Sequence, residues 1–248
     1  MHRDSMRCLS MKLRRLYSAV ITYLIVVGLF LTATFWGSEA ISVIAQRIPM
    51  ERDHTIIIDA GHGGPDGGAT SCAGVLESQI NLEISLRLND LFHLLGYQTR
   101  MIRTTDTSVY TEGDTIAQKK ISDLKERIRI VNETENAILV SIHQNTFPEA
   151  RYSGAQVFYG PKGEGKPLAE KMQGTFCHTL NPGSSRRCKK ADGIYLMQNV
   201  NCTAILVECG FLSNPQEEGK LRTPEYQKQL CCVIASSVSK FLDHGTND

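Results

Sequence analysis

An α/β domain on one open, largely parallel mixed sheet with helices on both faces, preceded by an N-terminal membrane helix, is the fold class this sequence predicts. Three observations carry the prediction. Short β-branched or apolar runs recur along the chain between Gly-rich or polar loops. Between them lie longer segments whose apolar residues are three or four apart, the spacing of a helix face packed on a sheet. Ahead of both, Ser18 to Trp36 forms an uncharged run of about 19 residues, long enough at ~1.5 Å per residue to cross most of a ~30 Å hydrocarbon core.

Taken in order, residues 1–17 read as a basic cytoplasmic tail, because Arg3, Arg7, Lys12, Arg14 and Arg15 precede the apolar run and the positive-inside bias then places the domain outside. Residues 18–36 are expected to be a transmembrane signal anchor. A cleaved signal peptide is the alternative, with Ser38-Glu-Ala40 as its small-residue site. Residues 37–53, mixed in polarity and carrying Pro49, read as a linker, and 54–248 as the folded domain. Thr55 to Asp59 is a buried strand. Glu77 to Leu95 places Ile80, Ile84, Leu88, Leu91 and Leu95 on one helix face, and Gly96 stops it. Tyr97 to Ile102 suggests a second strand, followed by a polar loop to about Gln118. Lys120 to Glu135 repeats the amphipathic spacing through Ile121, Leu124, Ile128 and Val131. Ala137 to Ile142 is then a central strand. Gly154–Tyr159, Gly165–Leu180, Gly193–Met197, Ala204–Val207 and Pro224–Leu242 continue as strand, helix, strand, strand and helix.

With 42% hydrophobic and 21% charged residues the chain is neither disordered nor fibrous. Of 27 Lys/Arg and 26 Asp/Glu, seven and four fall in residues 1–53, so the domain is nearly neutral, which argues against nucleic acid as a partner. Eight cysteines show no evident pairing and no Cys-x-x-Cys spacing, so a thiolate zinc module is not expected.

Two histidines and two glutamates stand at the ends of apolar runs or the start of a helix: His62 in Asp-Ala-Gly-His-Gly-Gly, Glu77, His143 in Ser-Ile-His-Gln-Asn, and Glu208 in Val-Glu-Cys-Gly-Phe. In open α/β sheets, sites form beyond the carboxyl ends of strands, where His62, His143 and Glu208 are expected to converge. The set suggests a zinc hydrolase, since catalytic zinc takes three protein ligands, keeps one position open, and works with a nearby carboxylate as proton acceptor. Singly, each residue has a plainer reading: a loop residue for His62, a hydrogen-bonded sheet end for His143, a dipole-favoured first-turn carboxylate for Glu77. Glu208 resists that treatment, because a carboxylate following Ile-Leu-Val is headed for burial and an unpaired buried charge is costly. The glycines after His62 match neither a dinucleotide fingerprint nor a P-loop.

Asp59-Ala-Gly-His-Gly-Gly-Pro-Asp-Gly-Gly-Ala69, Glu77 with Asn81-Leu82, Ser141-Ile-His-Gln-Asn145 and Val207-Glu-Cys-Gly-Phe-Leu-Ser-Asn214 closely resemble, in order, the zinc-dependent N-acetylmuramoyl-L-alanine amidases. The resemblance runs from about Thr55 to Leu242 and is strongest to the germination-specific, spore-cortex members, which have one amidase domain behind a short membrane segment. It implies one Zn2+ held by His62, Glu77 and His143, with Glu208 as the catalytic glutamate. Arg127 and Asn145 match family positions near the cleft and are expected to bind the peptide or the carbonyl. The implied reaction is hydrolysis of the amide joining N-acetylmuramic acid to L-alanine in peptidoglycan, removing stem peptides so that a separate deacetylase completes muramic-δ-lactam formation. The implied location is extracytoplasmic, at the developing spore cortex, with peptidoglycan, the membrane and an accessory protein as partners. A zinc peptidase acting on wall peptides and a non-catalytic peptidoglycan-binding regulator are the competing readings. Ser78, Thr146 and Cys209 depart from the residues usual in relatives, but none of them removes a ligand. The basic run Arg186-Arg-Cys-Lys-Lys190 is a further candidate for contact with acidic wall polymer or stem-peptide carboxylates.

Overall fold

The computed structural model describes residues 53–245 together with positions 21, 23, 27 and 32. The chain divides into two units, Met1–Met50 and Glu51–Asp248. The expected tail and anchor lie outside the described residues apart from those four positions, which are helical. Among the described residues no helix is long and apolar enough to cross a membrane.

In the second unit, strands β1 (Thr55–Ala60), β2 (Gln98–Met101), β3 (Ala137–Asn145), β4 (Gln156–Tyr159), β5 (Lys189–Lys190) and β6 (Thr203–Phe211) form a six-stranded sheet in the order β2-β1-β3-β6-β4-β5. The β2-β1-β3-β6 half is parallel throughout, whereas β4 runs antiparallel to β6. The mixed, largely parallel sheet expected from the alternation is therefore present.

Side chains alternate across the sheet and give it two apolar faces. Ile56, Ile58, Val140, Ile142, Ile205 and Val207 pack against helices α1 (Glu77–Leu94), α3 (Gly165–Thr179) and α6 (Pro224–Gly245). Ile57, Leu139, Ala204 and Leu206 pack against α2 (Ile116–Asn132) and the short α4 (Tyr195–Asn199). Helix α5 (Pro215–Leu221) follows β6.

Four elements differ from the sequence expectation, the two-residue β5 among them having no counterpart in it. Gly193–Met197, expected as a strand, is turn and the start of α4; its apolar cluster buries Leu196 and Met197 through one helical turn instead of through sheet pairing. Helix α2 starts four residues earlier than expected, because the Thr115 side chain accepts from Gln118 N and the Gln118 side chain accepts from Thr115 N, closing a capping box. Helix α5 was not expected, although Asn214 at its N-cap, Pro215 in the first turn, and Glu217 and Glu218 behind them are ordinary start signals.

The packing of α1 supplies a test of its register. Leu88 is fully buried and Leu94 is 82% exposed. Leu88→Ala should cost about 2–5 kcal/mol in urea unfolding, and Leu94→Ala no more than ~0.5 kcal/mol. Equal losses would contradict the assigned helix face.

Candidate metal centre

Parallel pairing of β1, β3 and β6 brings their carboxyl ends to one sheet edge. The helix of a β-α-β crossover runs back against its strands, so the first turn of α1 returns to the same edge. His62, two residues beyond β1, Glu77 at the start of α1, His143 in β3 and Glu208 in β6 thus meet although 146 positions separate the first from the last. His143 and Glu208 are paired in register, and beyond them Asn145 pairs with Phe211, leaving Cys209 and Gly210 opposite Gln144 alone. That irregularity is a bulge of the kind found where a strand must re-aim its side chains at a site.

His62, Glu77 and His143 form a group whose ligand atoms all lie within 4.8 Å of one another. Glu77 Oε2 is 3.3 Å from His62 Nε2, and Glu77 Oε1 is 3.1 Å from His143 Nδ1. The imidazole rings stand edge to face with centroids 4.9 Å apart. Both imidazoles are 19% exposed while the Glu77 side chain is 4% exposed, so the set is anchored from beneath and open to solvent above. Glu77 also accepts from Ala69 N at 3.0 Å, Gln144 N at 3.1 Å and Asn81 Nδ2 at 3.2 Å. Burial works against its charge, but the hydrogen bonds and charges of His143 and His62 hold its carboxyl well below the usual range.

Close packing leaves no room for side chains beside this group. A Cβ on Gly61 would lie 2.2 Å from His143 Nε2, and one on Gly68 would lie 2.6 Å from Glu77 Oε2. His62 itself is a non-glycine residue with φ of 61°, a left-handed conformation that costs roughly 1–2 kcal/mol. Two buried arginines hold the loop there. Arg103 donates to the carbonyls of Ala60 at 2.7 Å, Gly61 at 3.0 Å and Ser78 at 2.8 Å. Arg127 donates to the carbonyls of Ala60 at 3.0 Å and His62 at 2.7 Å, and is ion-paired with Asp59 and, at 2.6 Å, with Asp123.

Arg127, a candidate substrate contact in the sequence, is thus 2% exposed, with its Nε and both terminal nitrogens hydrogen-bonded within the protein. The contacts it makes position the His62 loop. Asn145, the other candidate, is half-buried at the end of β3 and lines a groove of about 250 Å³ beside the metal group. On the opposite flank, His62 and His143 line a cavity of about 150 Å³ with Asp66, Lys120 and Tyr195.

Glu208 is not one of the three grouped ligands but lies beside them, paired in register with His143. Its Oε2 is buried and has no hydrogen-bond partner among the described residues. Burial raises its pKa to about 7, with the Glu77 charge adding to the rise and the two histidines opposing it. A carboxylate poised near neutrality beside a metal-ligand group has the properties of a general base.

Asp66, within the first motif but with no role expected from the sequence, is placed by the fold against His62. Its Oδ2 lies 2.9 Å from His62 Nδ1 and 3.2 Å from Lys120 Nζ. A ligand histidine commonly donates its second ring nitrogen to a carboxylate, which fixes tautomer and orientation. The four-residue step from His62 to Asp66 was the available signal.

The sequence profile of the family described as N-acetylmuramoyl-L-alanine amidase matches residues 56–240. The germination-specific N-acetylmuramoyl-L-alanine amidase of Bacillus subtilis (strain 168) is 39% identical over 189 residues, 75% of this chain and 79% of that protein. Among solved structures, the CwlD amidase from Clostridioides difficile, determined in complex with the GerS lipoprotein, superimposes with a TM-score of 0.73 at 36% identity, covering 76% of this chain and 98% of that one. An N-acetylmuramoyl-L-alanine amidase from Clostridium difficile 630 gives 0.65 at 32% identity, over 77% and 97%.

Two outcomes test the centre. The Asp66 and Glu77 contacts prevail over burial and raise the His62 pKa to about 9. The metal-free imidazole is therefore protonated at pH 7 and must lose its proton to become a ligand. Calorimetry of zinc addition at pH 7 in buffers of differing ionisation enthalpy should show proton release, with affinity rising as pH climbs towards 9; no proton release would contradict this arrangement. Arg127→Met, which leaves Asp59 buried without its partner, should destabilise the fold by about 3–5 kcal/mol, measured by denaturant unfolding, and a loss under ~1 kcal/mol would remove Arg127 from the account.

Proposed function

Because the chain belongs to the N-acetylmuramoyl-L-alanine amidase family, we propose that it is a zinc-dependent enzyme that hydrolyses the amide between N-acetylmuramic acid and L-alanine in peptidoglycan. The observation that carries this reading is the juxtaposition of the two-nitrogen, one-carboxylate group with Glu208, whose buried Oε2 has no hydrogen-bond partner among the described residues, at one sheet edge. The residues fit zinc. Two imidazoles and one carboxylate are the donor set of a catalytic site that keeps a position open, and the buried Oε2 of Glu208 beside them has no hydrogen-bond partner among the described residues.

His62, Glu77 and His143 would hold the ion, which when bound supplies Lewis-acid polarisation of the scissile carbonyl and of water. Glu208 accepts the proton of the attacking water at its carboxylate and delivers it to the departing alanine nitrogen, a role suited to its pKa of about 7. Asp66 keeps His62 Nε2 directed at Glu77, and the open upper face of the two histidines admits the substrate.

The finer reading places this activity outside the cytoplasm, at the spore cortex, with residues 18–36 as a membrane anchor. There it removes stem peptides ahead of a peptidoglycan deacetylase during muramic-δ-lactam formation. Likeness to the germination-specific enzyme supports that role, and the GerS lipoprotein bound to the CwlD amidase supports an accessory partner. A two-metal peptidase is disfavoured, since the described residues offer one metal-ligand group of this kind.

Glu208→Gln separates a proton acceptor from a ligand. Hydrolysis of purified sacculi, followed as new L-alanine N-termini, should fall by at least ~10²–10⁴-fold while zinc stays bound. Loss of the metal would make Glu208 a ligand, and near-normal turnover would give the proton transfer to another residue. Release of D-alanine by the unmodified protein would instead indicate a carboxypeptidase.

A further inference from the structure

The basic run at Arg186 to Lys190 has no part in the metal centre, yet it borders the groove next to it. Strand β4 pairs with β6 so that Gln156 lies directly opposite Glu208, and directly paired residues project from the same sheet face. Arg186 Nη1 donates to Gln156 Oε1 at 3.4 Å, and Arg186 Nε donates to the Ser153 carbonyl at 3.2 Å. Its guanidinium stacks over Phe211 at 5.0 Å from the ring centroid, in the strand that carries Glu208. One cationic side chain is thereby fixed a single strand away from the catalytic carboxylate.

The groove of about 250 Å³ is walled by Phe147, Tyr152, Phe158 and Phe211, with Arg186 and Lys189 as its charged members. Neighbouring Lys190 is ion-paired with Asp192 at 3.2 Å, whereas among the described residues Arg186 and Lys189 form no ion pair within 4.0 Å, although the Arg186 charge is felt by the Glu217 carboxylate. Arg186 Nη2 makes no hydrogen bond among the described residues, so its donors remain for a ligand. Apolar walls with a guanidinium that keeps one nitrogen free of hydrogen bonds among the described residues suit a short, largely apolar chain that carries a negative charge.

We propose that this groove receives the peptide half of the substrate and that Arg186 captures a carboxylate of that peptide, a reading that rests on the amidase function above. Chemistry assigns the half. In an N-acetylmuramoyl-L-alanine bond the lactyl carboxyl is consumed in the scissile amide and the sugar is otherwise neutral, so free carboxylates lie on the peptide side. With the scissile carbonyl over the metal group and the leaving nitrogen near Glu208, the chain beyond L-alanine enters past Gln156 and reaches Arg186. Arg186 is then a specificity determinant that selects acidic stem peptides over amidated ones.

The test measures binding, which is independent of turnover, in the zinc-loaded full chain carrying Glu208→Gln. The probes are N-acetylmuramoyl-L-alanyl-glutamate and the same compound with both glutamyl carboxyls converted to carboxamides, a neutral isostere. The acid should bind roughly ten- to a hundred-fold more tightly, the effect of one charged hydrogen-bonding partner. Adding Arg186→Ala, or Arg186→Gln to keep chain length over Phe211, should bring the two affinities within about two-fold, with zinc content and thermal midpoint preserved as the folding control. Equal affinities before that change, binding of neither probe, or an acid preference that survives both Arg186 variants each overturn the proposal. Failure of the unmodified protein to cleave the muramoyl amide counts against the amidase reading and is scored separately.

Discussion

Two buried guanidinium groups determine where the metal-ligand loop lies. Arg103 and Arg127 take the carbonyls of Ala60, Gly61 and His62 just as the chain leaves β1, and so satisfy backbone acceptors that β-sheet pairing no longer reaches. The loop is thereby held with His62 in a left-handed conformation and its imidazole turned towards Glu77. Arg127 needs its own compensation, which Asp59 and Asp123 provide. Asp59 is in turn held in place by the Ser141 hydroxyl at 2.5 Å, two residues before His143. Burial opposes the Asp59 charge, but Arg127, His143 and Ser141 keep its carboxyl below the usual range. One polar network therefore ties β1, β3 and α2 beneath both histidines.

The same edge drives two glutamates in opposite directions. Glu77 is surrounded by donors and kept ionised, as a ligand requires. Glu208, in β6, has an oxygen with no hydrogen-bond partner among the described residues, and burial lifts its pKa to about 7. Environments that push two carboxyls apart suit the roles proposed for them, one as a fixed anion and one as a group that exchanges protons. Phe211, in the same strand as Glu208, lines the aromatic groove, and both histidines line the cavity that also holds Asp66.

Much of this was legible in the sequence. The strand runs at Ile56 to Ile58 and Leu139 to Ile142, and the helix face of Ile80, Ile84 and Leu88, announced the sheet and its cover because their periodicities follow from burial alone. His62, Glu77, His143 and Glu208 were legible as candidates because each occupies an element end. The partners of Arg127 were not, since they lie 4, 65, 67 and 68 positions away and only the folded register joins them. An arginine in an amphipathic segment reads as solvated until its neighbours are known. The Gly193–Met197 run misled because five residues with apolar members satisfy a strand or a helical turn equally well, and tertiary packing under α2 selected the turn.

The central claim is that the two imidazoles and one carboxylate at this edge constitute a single zinc site with Glu208 outside the coordination shell. Anomalous diffraction at the zinc edge, from crystals of the zinc-loaded protein, addresses it most directly. The account predicts one strong peak at ~2.0–2.2 Å from a nitrogen of His62, a nitrogen of His143 and an oxygen of Glu77. A peak coordinated by Glu208 or by a cysteine sulfur, or no peak among these three side chains, would contradict it.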